Sequence, residues 1–230
     1  MPKPLVIAHR GASRVEVENS LAAFRAAAPR GADGVELDVH TTRDGALIVH
    51  HDERVAGGQR IPEMTGDQAR RVHLANGEPL PTLAEALEAV SPELRVFVEA
   101  KTLDPRFDQG LLGTLAQGPN PSGYAVHSFD HRVIERLGRE RPTLERGVLS
   151  ASYPVRPLSA LEDAGATTLW QDRGLVDAAL VELVHDAGYT LIVWTVDEEE
   201  EMQRLLALGI DGLCTNAPDL ARRTVDAGPG

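Results

Sequence analysis

The chain has 230 residues, 42% of them hydrophobic, and sets 23 Lys and Arg against 35 Asp and Glu for a net charge of −12. That hydrophobic content supports a sizeable core, while the acidic balance, with no block of Lys or Arg, argues against nucleic acid or an anionic membrane surface as a partner. The single cysteine, Cys214, excludes an internal disulfide and favours a reducing compartment. No signal-peptide pattern and no apolar span of about 18 residues is visible, so a soluble, cytoplasmic protein without a membrane anchor is expected.

In chain order, the first strand-like run is "PLVIAH" (4–9). The segment "NSLAAFRAAAPRG" follows, with Leu21, Phe24, Ala27 and Ala28 on one helical face and a close at Gly31. "GVELDV" (34–39) is the second strand. Asp44-Gly45 then signals a hairpin turn, so "LIVHHD" (47–52) reads as an extra strand folding back antiparallel on residues 35–40 over the C-terminal rim. From Glu53 to Pro81 the chain reads as irregular, with isolated apolar residues. The helical pattern "PTLAEALEAV" leads into "RVFVEA" (95–100), "YAVHS" (124–128) precedes the helix "HRVIERLGRE", and "RGVLS" (146–150) and "ATTLW" (166–170) follow. "VDAALVELVHDAG" and "EEEMQRLLALG" are helices on either side of "TLIVWTV" (190–196), "GLCT" (212–215) is the last strand, and "DAGPG" reads as a frayed tail. Strands alternating with helices from end to end predict one α/β domain over 1–230, a (β/α)8 TIM barrel with a short extra strand after strand two. A doubly wound open sheet is the rival.

Residues two apart on a strand share a face. Glu36 and Asp38 therefore share one face of the second strand, and Val35, Leu37 and Val39 the other. In a barrel the apolar set packs outward on the helices and leaves the carboxylates in the lumen, near the rim that carries barrel active sites. The third strand repeats this, with Phe97, Glu99 and Lys101 on one face, although Glu99 and Lys101 also read as an internal ion pair. His9 ends the first strand, Arg10 follows it, and "HHD" returns His50, His51 and Asp52 beside Asp38. Buried carboxylates need compensation, and Glu36, Asp38 and Glu99 form a hard-oxygen pocket suited to Mg²⁺ or Ca²⁺. His9 and His51 flank it as acid and base; since neighbours alternate faces, only one of His50 and His51 looks into the site. Trp194 reads either as core or as a substrate platform. Cys214 reads as a small hydrophobe, not a nucleophile, and His40, His73, His131 and His185 as surface residues.

The series "AHRGAS" (8–13), "ENSLAAF" (18–24), "GVELDVHTTRDGALIVHHD" (34–52), "PTLAEAL" (81–87), "VFVEAK" (96–101), "SFD" (128–130), "WTVD" (194–197) and "DGLCTNAP" (211–218) resembles the glycerophosphodiester phosphodiesterase family of phospholipase-C-like barrels. The resemblance implies metal-dependent hydrolysis of small-molecule glycerophosphodiesters to glycerol 3-phosphate and an alcohol. It puts His9 and His51 at the general acid/base places and Glu36, Asp38 and Glu99 at the places for one divalent cation. Arg10 and Lys101 fall at phosphate-contacting positions, Trp194 where an aromatic lies near the glycerol, and His50 has no role. The departures are "ENS" for the usual ENT, "TNAP" for T-D-x-P, His127 for a small residue before "SFD", and a short segment after Asp52 that builds the mouth of the site differently. A lysophospholipase-D-like activity on single-chain lipids would use the same residues, and a silent phosphometabolite-binding barrel is the alternative outside enzymes.

Overall fold

A computed structural model describes residues 3–228. Its strands are β1 (Leu5–His9), β2 (Gly34–Thr41), β3 (Leu47–Val49), β4 (Arg95–Thr102), β5 (Tyr124–Ser128), β6 (Glu145–Ser150), β7 (Thr168–Asp172), β8 (Thr190–Trp194) and β9 (Gly212–Thr215). β1 pairs in parallel with both β2 and β9, so eight strands close into a barrel in the order β1-β2-β4-β5-β6-β7-β8-β9, and β3 lies outside that ring, antiparallel to β2. Closure excludes the open sheet.

The helices are α1 (Leu21–Arg25), α2 (Gly66–Ala69), α3 (Leu83–Ala89), α4 (Asp108–Gln117), α5 (His131–Glu140), α6 (Ser159–Ala164), α7 (Ala178–Asp186), α8 (Glu199–Leu208) and α9 (Pro218–Ala227). Among the described residues, no helix is long and apolar enough to cross a membrane.

Strand alternation splits the apolar residues into two layers. Val6, Val35, Leu37, Val98 and Val126 point outward and pack with helix residues such as Phe24, Leu87, Ile134 and Leu205. Ile7, Phe97, Leu149, Trp170, Ile192 and Cys214 point inward and plug the lumen. Phe97 and Trp170 meet edge to face with centroids 5.3 Å apart. Cys214 is sealed in this plug, where burial pushes its thiol pKa well up and leaves it inert. The plug is the floor on which the polar layer stands. Phe97→Ala is expected to lower the unfolding free energy by about 3–5 kcal/mol in denaturant titration, and an unchanged midpoint would show that the plug contributes no packing.

Several elements depart from their expected places. β3 pairs antiparallel as expected but only at Val39↔Val49 to Thr41↔Leu47, the far end of the expected 35–40 and one residue past it, because β1 already occupies that edge of β2 at Gly34 to Glu36. The edge is free only past the end of β1. α1 is short: Pro29 brings no backbone N–H, the chain tightens into a 3₁₀ turn at Ala28–Arg30, and Gly31 closes it at φ 78°. β7 starts late because Ala166 N–H is used on Leu161 O of the preceding helix. The 53–81 segment is not a string of isolated apolar residues. Val55, Ile61, Met64, Ala69 and Leu80 bury themselves with Ile48 in a core of their own, and Thr65 and Gln68 form a capping box on α2. Asp226 and Ala227 belong to α9 and not to a tail, while residues 229–230 lie outside the described residues.

His40 is also a correction. It is buried, not at the surface, since it lies on β2 two residues beyond Asp38 and so on the same face. Its Nε2 is 3.0 Å from His51 O and its Nδ1 3.1 Å from Thr102 Oγ1, so it ties the loop carrying His51 to the barrel. His131, half-buried, is 2.9 Å from Leu149 O through Nε2, and His185 is 3.0 Å from Asp211.

Candidate active site

The C-terminal ends of the strands carry one more turn of inward residues above the plug. β1 supplies His9, β2 Glu36 and Asp38, β4 Glu99 and Lys101, β5 His127 and β8 Trp194. Register places them side by side: His9 pairs with Glu36, Asp38 with Glu99, and Glu99 with His127. Together with Arg10, His51 and Phe129, all of these except Asp38 line a cleft of about 120 Å³ open at the rim. His50 does not line it.

The turn after β1 is built tightly. Arg10 sits at φ 56° and Gly11 at φ 80°, and a Cβ on Gly11 would come within 2.6 Å of the Ala23 carbonyl carbon. Only glycine lets the turn pack on α1. The Arg10 N–H thereby reaches Glu36 Oε2 at 3.1 Å. Each residue of "ENS" has a partner: both Glu18 carboxylate oxygens accept from Arg10 Nη1 at 3.0 Å, Asn19 Nδ2 donates to Asp38 Oδ2 at 2.8 Å, and Ser20 Oγ caps α1 by accepting from Ala23 N–H at 3.0 Å. The serine keeps the hydroxyl that the capping needs.

Charge in the cleft is uneven. Asp38 lies 3.2 Å from Lys101 Nζ and 3.2 Å from Arg10 Nε. Burial works to raise its pKa, but Lys101, Arg10 and the Asn19 hydrogen bond outweigh it and hold Asp38 below the usual carboxylate range. Glu36 has no side-chain cation at that distance, and burial, followed by the charges of Asp38 and Glu99, pushes its pKa well up. Burial and the Asp38 charge push Glu99 up to about 7, although Lys101 Nζ is 2.9 Å away. Carboxylates held this way lack positive charge. Glu36 and Glu99 each bring an oxygen, and His127 a ring nitrogen, to a cluster whose atoms all lie within 4.8 Å of one another. Such a donor set fits a divalent cation, and Asp38 stands beside it, turned to Arg10 and Lys101.

The two histidines at the edge of the cleft are oriented by different partners. His9 Nδ1 is 2.8 Å from Asn216 Oδ1, and Asn216 Nδ2 donates to Asp197 Oδ2 at 2.6 Å. The amide oxygen therefore faces the ring, His9 Nδ1 carries the proton, and Nε2 is free in the cleft, 4.0 Å from Glu36 Oε2. Burial and then Arg10 lower the His9 pKa. His51 Nδ1 is 2.8 Å from Asp52 Oδ1, which likewise leaves its Nε2 free. Trp194 meets Phe129 edge to face at 5.6 Å, and its buried Nε1 has no hydrogen-bond partner among the described residues.

Asp197 is not singled out by the sequence as a site residue; Asp52 stands out there only as a neighbour of His50 and His51, and Asn216 and His127 only as departures from a pattern. The strand period would have found His127, two residues beyond Ala125 on the inward face of β5. Nothing local points from Asn216 to His9.

Residues 9–220 match the model of the glycerophosphoryl diester phosphodiesterase family. A glycerophosphodiester phosphodiesterase of Caldanaerobacter subterraneus subsp. tengcongensis is 32% identical over 232 residues, covering 94% of this chain and 96% of its own length. A probable glycerophosphodiester phosphodiesterase 2 of Mycobacterium tuberculosis is 29% identical over 95% of this chain and 89% of its own. Among solved structures, an Oleispira antarctica phosphodiesterase in complex with the product sn-glycerol-3-phosphate has a TM-score of 0.91 at 24% identity, with 97% of both chains covered, and shares the fold. A glycerophosphodiester phosphodiesterase from Parabacteroides distasonis has a TM-score of 0.89 at 27% identity, with 98% of both chains covered.

Proposed function

Since this chain belongs to the glycerophosphoryl diester phosphodiesterase family and is an enzyme of that class, we propose that it works as a single catalytic barrel in which His9 and His51 exchange protons across a phosphodiester. The observation that carries this reading is the pair of free Nε2 atoms at one cleft, each histidine having its Nδ1 committed to a partner. The substrate is a small glycerophosphodiester, and the products are glycerol 3-phosphate and an alcohol.

The substrate phosphate is an anion and meets the cationic side of the cleft. Arg10 holds a phosphate oxygen with its planar guanidinium, and Lys101 adds a point charge. His9 starts neutral, because burial and the Arg10 charge both disfavour the protonated ring. Its Nε2 lone pair accepts the proton of the attacking hydroxyl, which belongs to water or to the substrate's own 2-position; attack by the 2-hydroxyl expels the alcohol and leaves a cyclic phosphate, which a water then opens to glycerol 3-phosphate with the two histidines in reversed roles. His51 delivers a proton to the leaving alkoxide, and the Asp52 carboxylate at its Nδ1 compensates the charged ring. Trp194 and Phe129 form the wall against which the glycerol rests, with Trp194 Nε1–H available to donate. Glu36 and Glu99 would hold one divalent cation, with Asp38 joining them on release from Arg10 and Lys101, and the ion when bound neutralises phosphate charge and lowers the pKa of a hydroxyl. The test is a panel of glycerophosphodiesters assayed for glycerol 3-phosphate with EDTA and with added divalent ions. Release that depends on the ions is expected, and no release under any condition would overturn the reading.

The headgroup is expected to be small. The large apolar residues of the 53–81 segment are spent on their own cluster, so this segment offers no broad lipid-facing surface. Glycerophosphoethanolamine should therefore have the higher kcat/KM when compared with a lysophosphatidyl analogue. A preference of about tenfold or more for the lysolipid, some 1.4 kcal/mol in the transition state, would assign the enzyme to lysophospholipase-D-like chemistry instead.

A further inference from the structure

We propose that His127 is a nitrogen ligand of the cation at the Glu36–Glu99 pair, which makes this a mixed oxygen and nitrogen centre selective for Mn²⁺, Co²⁺ or Zn²⁺ over Ca²⁺. The inference rests on the reading above that a divalent cation binds here, and it names which one and through which further residue.

His127 is unlike every structural histidine in this fold. His40 uses both ring nitrogens on protein atoms, and His131 uses Nε2 on Leu149 O. His127 is only 2% exposed, yet its Nδ1 is buried without a hydrogen-bond partner among the described residues. That atom costs stability, and Nε2 makes no hydrogen bond among the described residues either, so neither ring nitrogen is committed to the protein and Nε2 is available to an ion. Orientation comes from stacking: the imidazole lies on Trp170 with centroids 4.1 Å apart and planes within 5°. The stack fixes the plane of the ring without using either nitrogen.

The direction of the ring fits the same role. Nε2 lies 3.9 Å from Glu36 Oε1, too far for a hydrogen bond. Two donors bound to one ion at about 2.1 Å each stand roughly 3 to 4 Å apart, so that separation suits a shared ion. Glu99, whose oxygen completes the cluster, is the β4 residue paired with His127 in the ladder. An all-carboxylate pocket favours Mg²⁺ or Ca²⁺. One imidazole moves the preference toward ions that take nitrogen readily.

The experiment titrates Ca²⁺, Mg²⁺, Mn²⁺, Co²⁺ and Zn²⁺ alone into the metal-free full chain by calorimetry, and records the pulsed EPR of the Mn²⁺ form for ¹⁴N modulation. The variants are His127→Phe, which keeps the stack on Trp170, His127→Ser, and Glu36→Gln. In the parent, Mn²⁺, Co²⁺ and Zn²⁺ are expected to bind at least about tenfold more tightly than Ca²⁺. Both His127 variants should lose about 10- to 100-fold in affinity for those ions, change little toward Ca²⁺, and lose ¹⁴N modulation. Melting curves on each variant establish that it is folded. If either folded variant keeps the parent's Co²⁺ and Zn²⁺ affinity and its ¹⁴N modulation, the His127 assignment is overturned while the carboxylate site stands, provided Glu36→Gln still abolishes binding. If the parent binds none of the ions, or Glu36→Gln binds them as well as the parent, both readings fail together.

Discussion

His9→Ala and His51→Ala are each expected to lower kcat by at least about 10²-fold, the usual scale for removing a positioned acid or base, while His50→Ala leaves it nearly unchanged. The contrast between neighbours comes from the end of β3 at Val49, after which His51 turns into the cleft and His50 does not line it. The two catalytic losses should also differ in kind. A substrate whose leaving group is a nitrophenol needs little protonation as it departs, so it should restore much of the activity of His51→Ala. It should not help His9→Ala, where the proton of the nucleophile still has no acceptor. Steady-state kinetics on the natural and activated substrates, with melting curves to establish folding, make the comparison. Equal damage from His50 and His51 would put the wrong face in the site, and rescue of His9→Ala would reverse the acid and base roles.

Which parts of this site were legible in the sequence follows from how far apart its partners lie. Glu36 with Asp38 and Glu99 with Lys101 are visible because a strand repeats every two residues and each pair sits among Val and Leu of the opposite face. The barrel is visible for the same reason, since every barrel strand except β2, which leads into the β3 hairpin, is followed by a turn and a helical segment. Local periodicity fails where the chain closes on itself. Asn216 is 207 residues from His9, and only the pairing of β9 with β1 brings them together. The loss of a carboxylate at "TNAP" looked like a deficit in one dimension. In three dimensions the Asn216 main chain and amide are held by Asp197, so the carboxylate stands one step behind, and the amide oxygen faces His9. His40 was misplaced for a simpler reason: β2 runs on to Thr41, past the apolar run that marked it, and the same period that located Asp38 buries His40. The hidden core of residues 53–81 has no period at all, because Val55, Ile61 and Leu80 meet through turns and not along one element.

Glu36→Gln is expected to abolish divalent-ion binding and to lower kcat by roughly 10²–10³-fold, the scale of several kcal/mol of charge stabilisation contributed by a metal, without destabilising the metal-free fold. Glu36 is buried beside Asp38 and Glu99, and its pKa is pushed well up first by that burial and then by those two charges, so the charge at this position is a liability to the empty site. A glutamine keeps the volume, and its amide oxygen can still accept the Arg10 N–H that Glu36 Oε2 accepts at 3.1 Å. Removing the charge therefore relieves repulsion while leaving the turn after β1 in place. Glu99→Gln should lose the ion as well but gain less stability, because it also gives up the contact with Lys101 Nζ at 2.9 Å. Calorimetric titration with divalent ions and thermal unfolding in EDTA measure both quantities on the same samples. A stability cost in EDTA for Glu36→Gln, together with unchanged ion binding, would make Glu36 a structural residue and leave the excess of carboxylates without a role. A higher melting temperature combined with lost binding is the pattern of a residue kept for function at the expense of stability. That pattern is the expected one, because three carboxylates aimed into a lumen with only Arg10 and Lys101 to face them are an arrangement the fold alone does not need.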